Sequence, residues 1–297
     1  MNTPTAILKT ARPNFLVLTP VCVALGVTSA WHTHDVLDVG TTLIILLGAV
    51  LAHAAVNMLN EYEDFASGLD SATQRTPFSG GTGTLPANPE YANAVRIGGL
   101  AALTTSALIG LFLALQAGWG LLPLGLLGVI TVAAYTRWIT RNWLACLVAP
   151  GLGFGPLMVM GTAFVLAGEY SVHAALVSLP PFFLVSNLLL LNQFPDAGPD
   201  KDHGRRHLLV IARNKDAAVV YCLFAAAAFA AIPAAVALGY LSPWGYLGLI
   251  PLPLAAWIGW IVLRNADDMD RVLPAMGPNV IISLATPALI AAGVALG

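Results

Sequence analysis

Charge is scarce in this chain: 9% of its 297 residues are Asp, Glu, Lys or Arg, too few to coat a water-soluble globule of this size. With 13 basic against 15 acidic residues there is no basic excess of the kind that holds nucleic acid, and none is expected as a partner. Cysteine is scarcer still. Cys22, Cys146 and Cys222 all fall in apolar runs without Cys-x-x-Cys spacing, which argues against a disulfide framework, a zinc site or a redox pair and for packing. No Walker loop is present either, because the glycine-rich stretch Phe78–Pro86 lacks a following Gly-Lys-Ser/Thr. By composition that stretch is a plain loop, although its backbone donors could cover an anion. His203 and His207 are four apart, but Gly204, Arg205 and Arg206 between them make a poor setting for a divalent cation, and a phosphate-side or solvated role is expected.

What the chain has in abundance is apolar sequence, with 58% hydrophobic residues and a mean hydropathy of +0.79. Crossing the hydrocarbon takes about 20 residues of helix. Runs of that length predict nine spans near 14–31, 42–60, 96–117, 119–136, 143–165, 173–194, 216–238, 243–263 and 277–296. The expected fold is therefore all-α, a polytopic membrane protein whose nine helices form one bundle. Lys9 and Arg12 before the first span, with Thr28 and Ala30 near its end, have the outline of a secretory signal, but its length favours a retained helix. With the N-terminus inside, the segments on that side hold all 13 basic residues and the opposite loops none, which supports count and orientation together. The C-terminus then lies outside, and the inner (cytoplasmic) membrane is the expected location.

The acidic residues cluster. Residues 61–95 and 195–215 contain Glu61, Glu63, Asp64, Asp70, Glu90, Asp196, Asp200 and Asp202, eight of the 15. Each cluster starts inside the end of an apolar run, as Leu59-Asn60-Glu61-Tyr62-Glu63-Asp64 and as Leu191-Asn192-Gln193-Phe194-Pro195-Asp196. The shared pattern, 132 residues apart from Asn60 to Asn192, indicates two pseudo-repeats offset by four helices within one domain, 1–297. Motifs near 57–70 and 192–202 would face the same side and could converge there as a cytoplasmic-side active site.

In helical geometry Asn57, Asn60, Glu61 and Asp64 share a stripe, with Asp70 just beyond. Asn192, Asp196 and Asp200 repeat the four-residue interval, though Pro195 and Pro199 suggest a helix that breaks or ends. Oxygen-only clusters suit a hard cation such as magnesium, which binds few carboxylates and takes its remaining ligands from water and phosphate. Arg75, Lys201, Arg205 and Arg206 lie beside the clusters and could hold phosphate oxygens. The bland alternatives are two solvated loops and, for the basic residues, topology signals alone. A secondary transporter is a second class of reading, weakened because the repeats are parallel and the acids lie at the membrane edge.

These residues resemble the UbiA superfamily of intramembrane prenyltransferases, in particular its 1,4-dihydroxy-2-naphthoate polyprenyltransferase branch. Asn60-Glu61-Tyr62-Glu63-Asp64-Phe65-Ala66-Ser67-Gly68-Leu69-Asp70 is similar to that branch's Asn-Asp-Tyr-x-Asp-x-x-x-Gly-x-Asp motif, with Glu61 where Asp is usual. Asp196-Ala197-Gly198-Pro199-Asp200, running on to Gly204-Arg205-Arg206, resembles the second Asp-rich motif with its basic tail. Arg12-Pro13, Tyr135-Thr136-Arg137 and Gly153-Phe154-Gly155-Pro156 extend the likeness over nearly the whole chain. The resemblance implies Mg2+-dependent transfer of a prenyl chain from an isoprenyl diphosphate to an aromatic acceptor. It implies Asp64 and Asp196, with Tyr135 and Arg137, near the reacting centre, and metal ligands among Asn60, Glu61, Asp64, Asp70, Asp196 and Asp200. Substrate would be held by Arg12, Asn57, Asn60, Arg75, Asn192, Lys201, Arg205 and Arg206. Terpene cyclisation or another acceptor is the alternative within the fold.

Overall fold

The computed structural model describes residues 1–76 and 78–297. Among them there are helices and no strands, as expected where lipid offers the backbone no hydrogen bonds and each span must satisfy its own. Eight helices are long and apolar enough to cross a membrane: Pro13–His34, Val39–Ala66, Pro89–Ala117, Trp143–Ala167, Val172–Asn192, Asn214–Ala237, Pro243–Asn265 and Met269–Leu296. The shorter apolar helix Trp119–Ala134 lies between the third and fourth of these. Counting it, the nine helices correspond one for one to the expected runs, and they are called the first to ninth spans below. A further amphipathic helix, Thr3–Thr10, capped by the Asn2 side chain on the Thr5 N–H at 3.0 Å, precedes the first span.

The second span runs to Ala66, so the first acidic motif is helical and not the start of a loop. Half-buried arginines on neighbouring segments, Arg12 and Arg205, allow this, since they receive Glu61 and Asp64 as the helix leaves the apolar zone. The sixth span stops at Asn192. A turn carrying Pro195 separates it from the short helix Ala197–Asp202, which places Asp196 and Asp200 beside the second span's end.

The second span packs along the third, and the ninth closes back onto the first. The sixth is the most enclosed, contacting the fifth, seventh and ninth. A polar knot fastens it there. Asn187 Nδ2 donates to the Tyr221 carbonyl at 2.8 Å, and the Tyr221 hydroxyl donates to Asn279 Oδ1 at 2.8 Å. Such bonds are costly to leave unmade in an apolar interior. On its other side the sixth span meets the fifth almost backbone to backbone: a Cβ built on Gly151 would fall 2.0 Å from the Phe182 carbonyl oxygen, and one on Gly155 2.6 Å from that of Ser178. The fifth span widens into a π-helical stretch, Gly153–Met160, which turns Phe154 edge-on to His53 of the second span. Large apolar side chains such as Leu47, Leu108, Leu115, Ile130 and Trp260 face outward, as lipid requires.

Candidate active site

Both motifs open onto one cavity of about 160 Å³ at the end of the bundle where the second and sixth spans terminate. Helical periodicity aligns His53, Asn57, Asn60 and Asp64 on the second span's inner face, and all four line it. From the other side come Asn192, Gln193, Asp196, Asp200, Arg205 and His207. The two sets touch directly: the Arg205 guanidinium donates to Asp64 of the first motif through Nη2 and faces Asp200 Oδ1 of the second through Nη1 at 3.2 Å. Burial opposes charge on that guanidinium, but the Asp64 and Asp200 carboxylates outweigh it and push its pKa further up.

The carboxylates outnumber the cations, and several oxygens are left over. Asp70 Oδ2, Asn192 Oδ1 and Asp196 Oδ1 are buried with no hydrogen-bond partner among the described residues, and Asp200 Oδ1 has only the Arg205 ion pair, outside hydrogen-bonding geometry. Asp196 Oδ2 receives the Gly80 N–H at 3.3 Å. Burial, then the Asp200 charge, pushes Asp196 up to about 6, and burial, then the Glu61 and Asp64 charges, pushes Asp70 up to about 7. Unpartnered, cation-starved oxygens in one cavity have the chemistry of a hard-cation site. Among the described residues no three His, Cys, Asp or Glu side chains close around a point on their own. That fits an ion whose other ligands come from water and a bound anion.

Beyond Asn57 the lining becomes apolar and aromatic, with Phe15, Leu18, Phe154, Val185, Leu188, Leu189, Val280 and Leu284. The cavity is therefore ionic at its mouth and greasy within. Arg12 and Tyr135 line it as well. Asn57 Nδ2 donates to the Ala11 carbonyl at 2.9 Å, and Asn60 Nδ2 to Thr136 Oγ1 at 3.2 Å.

Five expected site residues lie elsewhere. Glu61 is buried away from the cavity, its carboxylate taken by Arg12 and Thr82. Arg137 pairs with Glu63 at 2.8 Å on the surface, 59% exposed, because the chain turns outward after Tyr135. Arg75 is exposed and lies against Gly83, and Lys201 and Arg206 point outward from the segment that turns Arg205 in. His207 is buried and not solvated: it lines the cavity on the second motif's side, with Nε2 2.8 Å from Asp200 Oδ2. Sequence reasoning missed His53, Asn14, Thr140 and Gln193, of which only His53 had a signal, its place four residues before Asn57 on the same helical face. It also underrated the glycine-rich stretch, which crosses both motifs. Gly81, at φ +70°, passes so close over Asp70 that a Cβ there would sit 2.7 Å from its Oδ1.

Residues 17–275, most of the chain, match the UbiA prenyltransferase family. The chain belongs to that family. As a UbiA member it is a prenyltransferase and an integral, multi-pass membrane protein. It is similar to 1,4-dihydroxy-2-naphthoate octaprenyltransferase of Bacillus subtilis (strain 168), at 26% identity over 88% of this chain and 83% of the relative. The Escherichia coli (strain K12) protein of the same name is 25% identical over 88% of this chain and 86% of its own length. Among solved structures, a UbiA homolog from Archaeoglobus fulgidus bound to DMAPP and Mg2+ superimposes with a TM-score of 0.57 at 14% identity, covering 96% of this chain and 98% of that one. That likeness is one of fold.

Proposed function

We propose that this UbiA member transfers a prenyl chain from an allylic isoprenyl diphosphate to 1,4-dihydroxy-2-naphthoate or a closely similar aromatic acceptor, with Mg2+ as cofactor. The observation that carries the reading is the cavity that joins the two motifs through Arg205, with unpartnered oxygens of Asp70, Asn192 and Asp196 around it. The naphthoate acceptor is supported by the two bacterial relatives, and Mg2+ by the ion bound in the archaeal homolog.

Asp64, Asp70, Asp196 and Asp200, with the amide oxygens of Asn60 and Asn192, would hold magnesium, which when bound offsets the charge of the diphosphate and makes it a better leaving group. The chain's own part is to fix that group and to shield the reactive carbon from water. Arg205 and the buried, unpartnered Arg12 Nε–H present donors to the departing oxygens. As the allylic carbon–oxygen bond breaks, Phe15, Leu18, Phe154 and Leu188 keep water from the carbocation. The acceptor ring then forms the new carbon–carbon bond and recovers aromaticity as the attacked carbon gives up a proton or, where it bears a carboxylate, CO2, the bonding pair staying in the ring. The N-terminus is read as cytoplasmic and the C-terminus as external, which puts the cavity at the inner face of the cytoplasmic membrane.

Purified protein in lipid nanodiscs, given a prenyl diphosphate, Mg2+ and either 1,4-dihydroxy-2-naphthoate or 4-hydroxybenzoate, is expected to form prenylated naphthoate and pyrophosphate, both read by mass spectrometry. Product with 4-hydroxybenzoate alone would overturn the acceptor, and diphosphate release without any acceptor would favour a cyclase.

A second expectation comes from the raised carboxyls. Folded values of about 7 and 6 for Asp70 and Asp196 lie above the ordinary carboxylate range, so cation-free protein is most stable where both stay protonated and loses stability as pH rises through those values. Mg2+ requires the ionised form. Its stabilising shift in thermal unfolding is expected to be larger at pH 8 than at pH 5, and an equal shift at both would contradict the assignment.

A further inference from the structure

Glu61 belongs to the first motif yet contributes nothing to the cavity wall. Its side chain is 0% exposed. Oε2 receives Arg12 Nη2 at 3.1 Å, the Thr82 backbone N–H reaches Oε1 and Oε2 at 3.1 and 3.0 Å, and the Thr82 hydroxyl donates to Oε1. Buried ionic groups of this kind are tolerated where their lone pairs are met by the chain itself.

The two partners are a cation and a strap that both reach the cavity. Arg12 holds a left-handed backbone, φ 55°, ψ 64°, directly before Pro13, a conformation uncommon for a residue with a Cβ and disfavoured before proline. Its guanidinium is tethered at Nη2, while Nε is buried without a partner among the described residues. Thr82 is the middle of the glycine-rich stretch Phe78–Pro86, which straps the site. Within it the Gly80 N–H reaches Asp196, and Gly81 lies against Asp70. One buried carboxylate thus ties together a cation whose buried Nε–H is unused among the described residues and a strap that touches acids of both motifs.

We propose that Glu61 is a positioning residue for the diphosphate: it is not a metal ligand, but holds Arg12 and the Thr82 strap in register so that their donors meet the anion together. This rests on the diphosphate reading above. Glu61→Gln keeps the size of the side chain but sets an amide N–H2 or a neutral oxygen against the guanidinium, so Arg12 loses its ionic anchor.

The full chain in nanodiscs is to be titrated with Mn2+ by electron paramagnetic resonance, and with inorganic pyrophosphate by calorimetry at saturating Mn2+. Hydrogen exchange of a peptide containing Thr82 is to be followed in parallel. Glu61→Gln is expected to bind Mn2+ within about twofold of the parent, to bind pyrophosphate about tenfold more weakly and to exchange the Thr82 amide faster. Asp196→Asn, by contrast, loses Mn2+. Loss of Mn2+ by Glu61→Gln to the same extent, or parental pyrophosphate affinity, would overturn the proposal. Where Glu61→Gln does not fold, Thr82→Val removes the hydroxyl tie to Glu61, along with the hydroxyl's bonds to Thr84, and keeps the Thr82 N–H on the carboxylate; it is expected to weaken pyrophosphate about threefold with Mn2+ unchanged, and an unchanged pyrophosphate affinity overturns the proposal equally. A parent protein that binds Mn2+ but not pyrophosphate gives a different pattern, which defeats the diphosphate reading and this inference with it.

Discussion

Asp196→Asn is expected to lower kcat/KM for prenyl transfer on the order of 10³-fold or more while leaving the protein at least as stable as before. The two halves of that result have one cause. Asp196 Oδ1 is buried with no hydrogen-bond partner among the described residues, and burial pushes the carboxyl up to about 6, so at pH 8 the folded chain carries a buried charge that Gly80, Ser79 and Arg205 offset only in part. An amide of the same shape removes that charge and still accepts the Gly80 N–H, so thermal unfolding at pH 8 without divalent cation should move upward. The same change takes away an oxygen that the proposed cation needs. Activity assayed beside thermal unfolding checks both halves. A variant with near-parental turnover would remove Asp196 from the mechanism, and one that unfolds at lower temperature would mean its carboxylate is structural.

Arg205→Met should be the most destabilising single change at the site, by about 3 kcal/mol. Arg205 is 19% exposed and is the cation between Asp64 and Asp200, whose side chains are 10% and 2% exposed. Without it two buried carboxylates from opposite halves of the chain face each other across the cavity. Adding Asp64→Asn to the Met variant should recover part of the loss, because the repulsion then disappears with the charge. Unfolding of the two single variants and the double variant, followed through tryptophan fluorescence, measures the coupling. Additive losses would mean that the ion pair does not join the motifs energetically. Transfer should be lost in all three.

The nine helices were legible because lipid makes a blunt demand: each span needs a long apolar run, even though the helices differ in length from the short Trp119–Ala134 to the 29 residues of Pro89–Ala117. Asp64, Asn60 and Asn57 were legible for a related reason, since helical periodicity alone brings them to one face. Glu61 shows where such reasoning stops. It shares the stripe with Asp64, but its direction is decided by Arg12, 49 positions away, and by Thr82, 21 positions away. Nothing in the local pattern reports either contact. Arg205 and Arg206 make the same point, since adjacent and chemically identical residues divide into one that enters the cavity and one that faces outward. His207 could be read from its polar sequence neighbours as solvated or as phosphate-side, and only its neighbour in space, the buried Asp200 at the cavity, decides against solvation.

Gly151 and Gly155 act as the gauge of the bundle where the fifth span meets the sixth. With a Cβ on Gly151 placed 2.0 Å from the Phe182 carbonyl, a single added methyl would force the two spans apart by more than an ångström to regain ordinary contact. Phe154 rides on the same stretch, so the shift would carry its ring off His53 and widen the greasy half of the cavity from a position outside its lining. The smallest side chains in the protein thereby set the clearance available to its bulkiest ligand.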